Sequence, residues 1–261
     1  MSKGWAVILG VSSGFGAATA RELARAGHPI FGLHLDRRST MPAVESLLAE
    51  LEGYGVPVIF VNANAADDDV RGQAIAQLAE ACATSGVGVQ VLMHTIAFGT
   101  LRPFIAEGNA ALSRRQLDMT LDVMANSLVY WTQDLVAKEL LGRGGRVFAM
   151  TSSGSIAAWP AYGAVSAAKC ALESHVRQLA VELAPHGITA NAIMAGVTPT
   201  PALDKIPGSA ELLAKALARN PSGRLTAPED IAQAIAALVA PGLAWMTGNV
   251  LRVDGGETIT G

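Results

Sequence analysis

Short apolar runs alternate with longer amphipathic stretches along almost the whole chain, and this alternation limits the possible folds more than any other feature. Seven runs have the length and flanking residues of buried strands. They span 5–10, 29–35, 57–63, 89–97, 146–153, 188–196 and 248–256. Helical patterns lie between the first six runs. Because right-handed crossovers place such helices on both faces of a parallel sheet, we predict one α/β domain over residues 1–261, with a doubly wound sheet of about seven strands.

Composition and charge exclude several classes of protein. Hydrophobic residues make up 51% of the chain and the net charge is −3, which argues against general binding of nucleic acid. The first apolar run is too short for a secretory signal, and no run reaches the ~18 residues of a membrane span. Cys82 and Cys170 are far apart and lack the spacing of metal ligands. We therefore expect no metal site, no disulfide, no membrane partner and a cytoplasmic location.

A glycine-rich loop joins the first strand to the first helix. Glycines in such a loop let the backbone turn sharply and approach a pyrophosphate, which the N–H groups of the helix N-terminus then bind. Three glycines alone are a weak signal, but their place between a strand and a helix strengthens it. The predicted phosphate-binding residues are Gly10, Ser12, Ser13, Gly14, Phe15 and Gly16.

Four motifs together resemble the short-chain dehydrogenase/reductase family. They are the G-x3-G-x-G loop, Ser152 after the fifth strand, a tyrosine and a lysine in the following helix, and VDGG near the C-terminus. The resemblance covers essentially the whole chain in order. It implies a single Rossmann-type domain, a nicotinamide cofactor and a homotetramer.

Three departures from ordinary family members are informative. The stretch MHTIAFG (93–99) replaces Asn-Asn-Ala-Gly, and Met124 stands near the usual position of a catalytic asparagine. Val165 lies four residues before Lys169, where the tyrosine is usual, and Tyr162 lies seven before it. These features resemble the enoyl-acyl-carrier-protein reductases. The resemblance implies an enoyl thioester substrate, carried on acyl carrier protein or coenzyme A.

The seven-residue spacing has a chemical reading. Residues seven apart on a helix lie about 20° apart, so Tyr162 and Lys169 share a face, and the tyrosine lies ~4.5 Å further toward the N-terminus than a four-residue spacing would place it. In enoyl-thioester reduction hydride adds to the β-carbon, and charge develops on the thioester oxygen, two carbons further along. Tyr162 would then stabilise that oxygen, and Lys169 would bind the nicotinamide ribose. Ser152 either stabilises the substrate oxygen or only lines the pocket.

The end of the second strand carries mixed signals for the cofactor. His34 takes the usual place of an acidic residue that selects NAD, and Asp36 follows it. Arg37 and Arg38 suit a 2′-phosphate, so NADPH is predicted over NADH, although Ser13 replaces a frequent basic residue. Position in the family adds further cofactor contacts at Asn64, Ala65, Thr95, Ile96, Ala97, Val197 and Thr200.

A segment at about 198–225 is expected to cover the substrate, as in the family. Its apolar residues either line an acyl channel or form the core face of a short helix. Two other functions stay open: a reductase of another activated alkene or ketone, and a nicotinamide-binding protein without turnover.

Overall fold

A seven-stranded parallel sheet forms the centre of the protein in a computed structural model, which describes residues 3–260. The strand order is β3-β2-β1-β4-β5-β6-β7, and every neighbouring pair runs parallel. The strands are β1 Trp5–Leu9, β2 Ile30–His34, β3 Val58–Asn62, β4 Val89–His94, β5 Leu141–Ser152, β6 Thr189–Ala195 and β7 Val250–Val253. The predicted doubly wound α/β fold is confirmed.

Eight α-helices connect these strands. They are α1 Gly14–Arg25, α2 Met41–Glu52, α3 Asp68–Ser85, α4 Arg114–Leu121, α5 Ser127–Ala137, α6 Gly163–Leu183, α7 Ser209–Arg219 and α8 Pro228–Leu238. A π-helical turn, Asp122–Asn126, joins α4 to α5. The last two helices, α7 and α8, lie between β6 and β7, where the sequence pattern left a short helix open as one alternative. Pro228 at the first turn of α8 suits a helix start, because that position needs no amide donor.

The core has two layers, one on each face of the sheet. In β1, Trp5, Val7 and Leu9 join one apolar cluster, and the alternate residues Ala6 and Ile8 join the other. This two-residue period is the pattern of a strand buried on both faces. Helices α3, α5 and α6 cover the first face, and α1, α2 and α8 cover the second.

Strand β5 begins earlier than predicted, at Leu141, and the other strands are shorter than predicted, β4 and β7 by the most. The sequence suggested that β4 continues to residue 97, but it ends at His94, which pairs with Leu9 at the end of β1. The amide of Thr95 makes the last bond, to the Leu9 carbonyl, and the chain then leaves the sheet at the level where β1 ends. Strand β7 likewise stops at Val253, where Asp254 accepts hydrogen bonds from the backbone of Gly256 and turns the chain. The residues that directly follow His94 and Val253 therefore lie in loops beyond the ends of the strands.

Candidate active site

Two adjoining cavities lie beyond the carboxyl ends of the strands. The larger cavity, of about 480 Å³, lies above β1, β2 and β3. The smaller cavity, of about 240 Å³, lies above β5 and β6 beside the start of α6. They share Phe15 and the stretch Thr95–Ala97, which follows β4. This is where the strand order reverses, between β1 and β4, and ligands in open α/β sheets bind at such a point.

The glycine-rich loop forms one wall of the larger cavity. Gly16 does not reach the cavity but packs α1 onto the loop, since a Cβ atom there would lie 2.0 Å from the Gly10 carbonyl oxygen. Ser13, the N-cap residue of α1, makes no capping bond through its side chain, and the first turn of α1 holds no acidic residue. The first amides of α1 therefore remain available to an anion.

The end of β2 places an acidic side chain in the wall of the larger cavity. Asp36 lines the larger cavity, and its Oδ2 lies 3.0 Å from Nδ1 of the buried His34. Burial acts to raise the pKa of Asp36, but hydrogen bonds with Ser12, Thr40 and His34 outweigh it and hold that pKa below its usual value. The side chain is thus a carboxylate at neutral pH.

Arg37 and Arg38, which the sequence assigned to a 2′-phosphate, lie outside the cavity. Both are exposed, and neither lines it. The physical reason is that the chain leaves the sheet after His34, so that Asp36 turns inward and the arginines turn to solvent.

Tyr162 lies at the edge of the smaller cavity, directly before α6 rather than inside it. It is the N-cap residue, and its carbonyl accepts the first helical hydrogen bond, from the amide of Ser166 at 2.8 Å. The ring packs on Gly154, where a Cβ atom would lie 2.5 Å from Tyr162 Cε1. Burial raises the pKa of the Tyr162 phenol, and a hydrogen bond with Ser152 only partly opposes this shift. The phenol therefore keeps its proton at neutral pH and can donate it in a hydrogen bond.

Lys169 is buried in the wall of the same cavity. Its Nζ donates to the carbonyl oxygen of Met150 over 2.7 Å, at the end of β5. Burial lowers the pKa of Lys169 to about 8, and the nearby Glu173 carboxylate opposes that shift. Both Tyr162 and Lys169 line this cavity, although the tyrosine precedes the helix that holds the lysine.

Met124 and Asn126 show why no asparagine lines the smaller cavity at the position usual in the family, and His94 nearby has a structural role. Met124, in the π-helical turn, lines the smaller cavity with its apolar side chain. Asn126 Oδ1 instead accepts a 3.0 Å hydrogen bond from Nε2 of His175, away from the cavity. His94 is fully buried, bonds to Ser127 at 2.9 Å, and has a pKa lowered to about 3, mainly by burial. A histidine that stays neutral in this way acts as a structural residue.

The cavity wall brings together most of the residues that the sequence selected. Gly16, Arg37 and Arg38 are the three that line neither cavity. The larger cavity is lined by Gly10, Ser12, Ser13, Gly14, Phe15, His34, Asn64, Ala65, Thr95, Ile96, Ala97 and Thr200. The smaller one is lined by Ser152, Tyr162, Lys169, Val197 and Thr200, and again by Phe15 and Thr95–Ala97.

The covering segment lies over the smaller cavity. Leu203 in a 3-10 turn, Ile206 directly after that turn and Leu212 in α7 line this cavity, and an acyl channel along them stays a prediction. Below them, the Val197 amide donates to the buried carboxylate of Glu257, which holds the loop after β6 in place.

Sequence reasoning missed several lining residues, among them two large side chains of the smaller cavity. Trp159 and Leu101 lie in loops after β5 and β4 and line the smaller cavity. Neither belongs to a periodic pattern, so only the tryptophan, as a large aromatic three residues before Tyr162, offered a signal.

The larger cavity fits a nicotinamide dinucleotide. The free amides at the start of α1 suit a pyrophosphate, and the Asp36 carboxylate at the end of β2 suits a ribose hydroxyl. The cavity continues past Thr95–Ala97 into the smaller one, where Lys169 and Tyr162 lie.

Among residues 3–260, no group of His, Cys, Asp and Glu side chains could hold a metal ion. Nor does this part of the chain contain a helix long and apolar enough to cross a bilayer.

Comparison with known proteins identifies the family. A family model described as enoyl-(acyl carrier protein) reductase matches residues 10–258. The chain therefore belongs to the short-chain dehydrogenase/reductase family, near its enoyl-acyl-carrier-protein reductase branch. Proteins of this family are oxidoreductases that bind NAD(P)H.

Individual relatives carry different activities. The chain is 30% identical to 1-cyclohexenylcarbonyl-CoA reductase of Streptomyces collinus, over 97% of this chain and 86% of that protein. It is 29% identical to L-rhamnose 1-dehydrogenase (NAD(P)(+)) of Azotobacter vinelandii, over 96% and 94%. A crystal structure of the enoyl-[acyl-carrier-protein] reductase (NADH) from Aquifex aeolicus superposes with a TM-score of 0.84 and 26% identity, over 100% and 98% of the two chains.

Proposed function

We propose that the protein is an enoyl-thioester reductase that saturates the α,β double bond of a trans-2-enoyl thioester in fatty-acid or related acyl-chain synthesis. One observation carries the proposal. Tyr162, seven residues before Lys169, lines the smaller cavity with it, while the apolar Val165 occupies the position four residues before the lysine. Val165 cannot donate a hydrogen bond, and Gly99 packs tightly against it. No phenol is therefore available at the place that ordinary carbonyl reduction uses.

Tyr162, Lys169 and Ser152 each have a separate role in this reduction. A bound reduced nicotinamide supplies the hydride. The Tyr162 hydroxyl, kept protonated by burial, donates a hydrogen bond to the thioester oxygen as negative charge develops there. Lys169 holds a positive charge beside the site and binds the nicotinamide ribose. Ser152 lines the same cavity as Tyr162 and lies within reach of the substrate oxygen's side of the site. The α-carbon then takes its proton from solvent.

The cofactor preference depends on the end of β2. Two exposed arginines stand beside the cleft and favour NADPH by charge, whereas Asp36 faces into the cleft as a carboxylate. A carboxylate accepts a hydrogen bond from a ribose 2′-hydroxyl and repels a 2′-phosphate. The geometry thus supports NADH more than the sequence alone did. The ratio of kcat/KM for NADH to that for NADPH decides the question.

The test of the proposal is a substrate comparison. Nicotinamide oxidation is measured with crotonyl-CoA, crotonyl-acyl-carrier protein, acetoacetyl-CoA and a simple cyclic ketone, with each cofactor. The proposal expects turnover of the crotonyl thioesters and little turnover of the two ketones. Turnover of the ketones alone contradicts it. The acyl carrier, the homotetramer and the cytoplasmic location stay predictions, and gel filtration with light scattering tests the second of them.

A second candidate is a carbonyl reductase, which the presence of both Ser152 and Tyr162 in the wall of one cavity favours. In that case the serine and phenol both bond a ketone oxygen. Cofactor binding without turnover of any of the four substrates supports instead a non-catalytic nicotinamide-binding protein.

A further inference from the structure

We propose that Trp159 is a specificity-determining residue that restricts the site to short or compact acyl groups and fastens the covering segment over them. The acyl part of this inference rests on the proposed function, since it concerns an enoyl thioester. The fastening part concerns the protein alone.

The side chain of Trp159 joins two elements that are distant in sequence. It lines the smaller cavity from the loop after β5, and its Nε1–H donates to the carbonyl oxygen of Pro207 over 2.9 Å. Nζ of Lys215, in α7, lies 5.4 Å from the ring centroid, within the range of a cation–π contact. A Cβ atom at Gly208 would lie 3.3 Å from Trp159 Cζ2, so the segment passes close over the indole edge.

The backbone of Trp159 is joined to Tyr162, the candidate oxyanion stabiliser. Its carbonyl oxygen accepts a hydrogen bond from the Tyr162 amide over 3.1 Å. Between them, Pro160 and Ala161, the latter with φ of 61°, form a turn of the type II pattern. A β-turn of this kind leaves the two end residues little freedom to move apart. Trp159 thus contacts the covering segment through its side chain and Tyr162 through its main chain.

The size of the cavity sets the class of acyl group. About 240 Å³ is less than the ~300–1,000 Å³ of typical drug-sized ligand sites. Trp159 is the largest side chain in the cavity wall, which Ile206 and Leu212 of the covering segment also line. A long acyl chain would have to displace the indole, whereas a crotonyl-sized or small cyclic group would not.

The main experiment compares acyl groups of increasing length. We measure kcat/KM for crotonyl-, trans-octenoyl- and trans-dodecenoyl-CoA with wild type, Trp159→Ala, Trp159→Leu and Trp159→Phe. The wild type is expected to prefer the crotonyl thioester. Trp159→Ala should raise the octenoyl-to-crotonyl ratio at least tenfold, which is about the effect of one methylene group in a tight apolar pocket. Trp159→Leu should raise it less, and it serves as the shorter apolar variant if the alanine protein does not fold.

A second measurement follows the covering segment without any substrate. Lys215 and Arg219 are exposed trypsin sites within that segment. Trp159→Phe keeps the aromatic ring but removes the N–H donor, so cleavage should become about two- to tenfold faster, the effect of one lost hydrogen bond. Trp245→Phe, a change at a tryptophan that is 97% exposed, is the matched control and should leave cleavage unchanged.

The outcomes separate the two parts of the proposal. An octenoyl-to-crotonyl ratio that stays within about twofold in both the alanine and leucine variants overturns the role in specificity. Unchanged cleavage of Trp159→Phe overturns the fastening role. If the wild type reduces no enoyl thioester, the proposed function and the acyl preference fail together, while faster cleavage of Trp159→Phe still supports the fastening role.

Discussion

Replacing Tyr162 by phenylalanine removes one hydroxyl group and leaves the ring in place. The ring packs on Gly154, and phenylalanine keeps that contact. Losing one hydrogen bond of a hydroxyl within the protein costs about 0.5–1.5 kcal/mol of folding free energy, which sets the upper end of the expected destabilisation. Removal of one donor to a developing oxyanion costs about 2.7–4 kcal/mol, or a ~10²–10³-fold fall in kcat. We therefore expect a large loss of turnover with little loss of stability.

The assay is reduction of crotonyl-CoA at saturating nicotinamide cofactor, with thermal unfolding measured on the same preparations. KM should change little, because the hydroxyl acts on charge that develops only in the transition state. Tyr54→Phe is the matched control: this tyrosine donates a 3.1 Å hydrogen bond to Glu50 and lines neither cavity. A kcat of Tyr162→Phe within about tenfold of the wild-type value would refute the role of the phenol as an oxyanion stabiliser.

Three further predictions concern the cofactor and the fold. Because burial lowers the pKa of Lys169 to about 8, kcat/KM should fall above that pH as the ammonium loses its proton. An unfolded lysine keeps its proton up to about pH 10.4, so between about pH 8 and that value the unfolded state binds more protons than the folded state. The stability of the cofactor-free protein should therefore rise with pH in this interval. Lys169→Met should abolish the rise, and a rise of equal size in both proteins contradicts the assignment. Gly16→Ala places a Cβ atom 2.0 Å from the Gly10 carbonyl oxygen. It should cost about 1–3 kcal/mol and lower Tm by roughly 2–4 °C per kcal/mol, so an unchanged Tm argues against this tight packing. Asp36→Asn should raise kcat/KM for NADPH relative to NADH by about tenfold or more, and an unchanged ratio excludes contact between this carboxylate and the ribose.

Short-range patterns were enough to predict the fold and the position of the site. The seven apolar runs and the helical patterns between them are local, and parallel strands joined by right-handed crossovers leave few arrangements. Residues that follow successive strands necessarily meet at one edge of the sheet, so Gly10, Thr95 and Ser152 were predicted together and lie together. The exact ends of β4 and β7 were not predictable, because pairing ends where the neighbouring strand ends.

Side-chain direction outside regular structure was the main source of error. At the end of β2 the sequence offers one acidic and two basic residues, and only the packed chain places Asp36 in the cleft and Arg37 and Arg38 in solvent. Trp159 reaches the cavity because the turn at Pro160 and Ala161 points the loop toward the covering segment. Neither outcome has a periodic signal in the sequence.

The sequence by itself determined the family, the parallel sheet and the pairing of Tyr162 with Lys169, because spacing along the chain translates directly into position on a strand or a helix. Tertiary structure decided the rest. Burial keeps the Tyr162 phenol protonated and lowers the pKa of Lys169, and the fold brings Trp159 under residues about fifty positions away. These properties depend on which atoms surround a group in space, and a linear pattern does not contain that information.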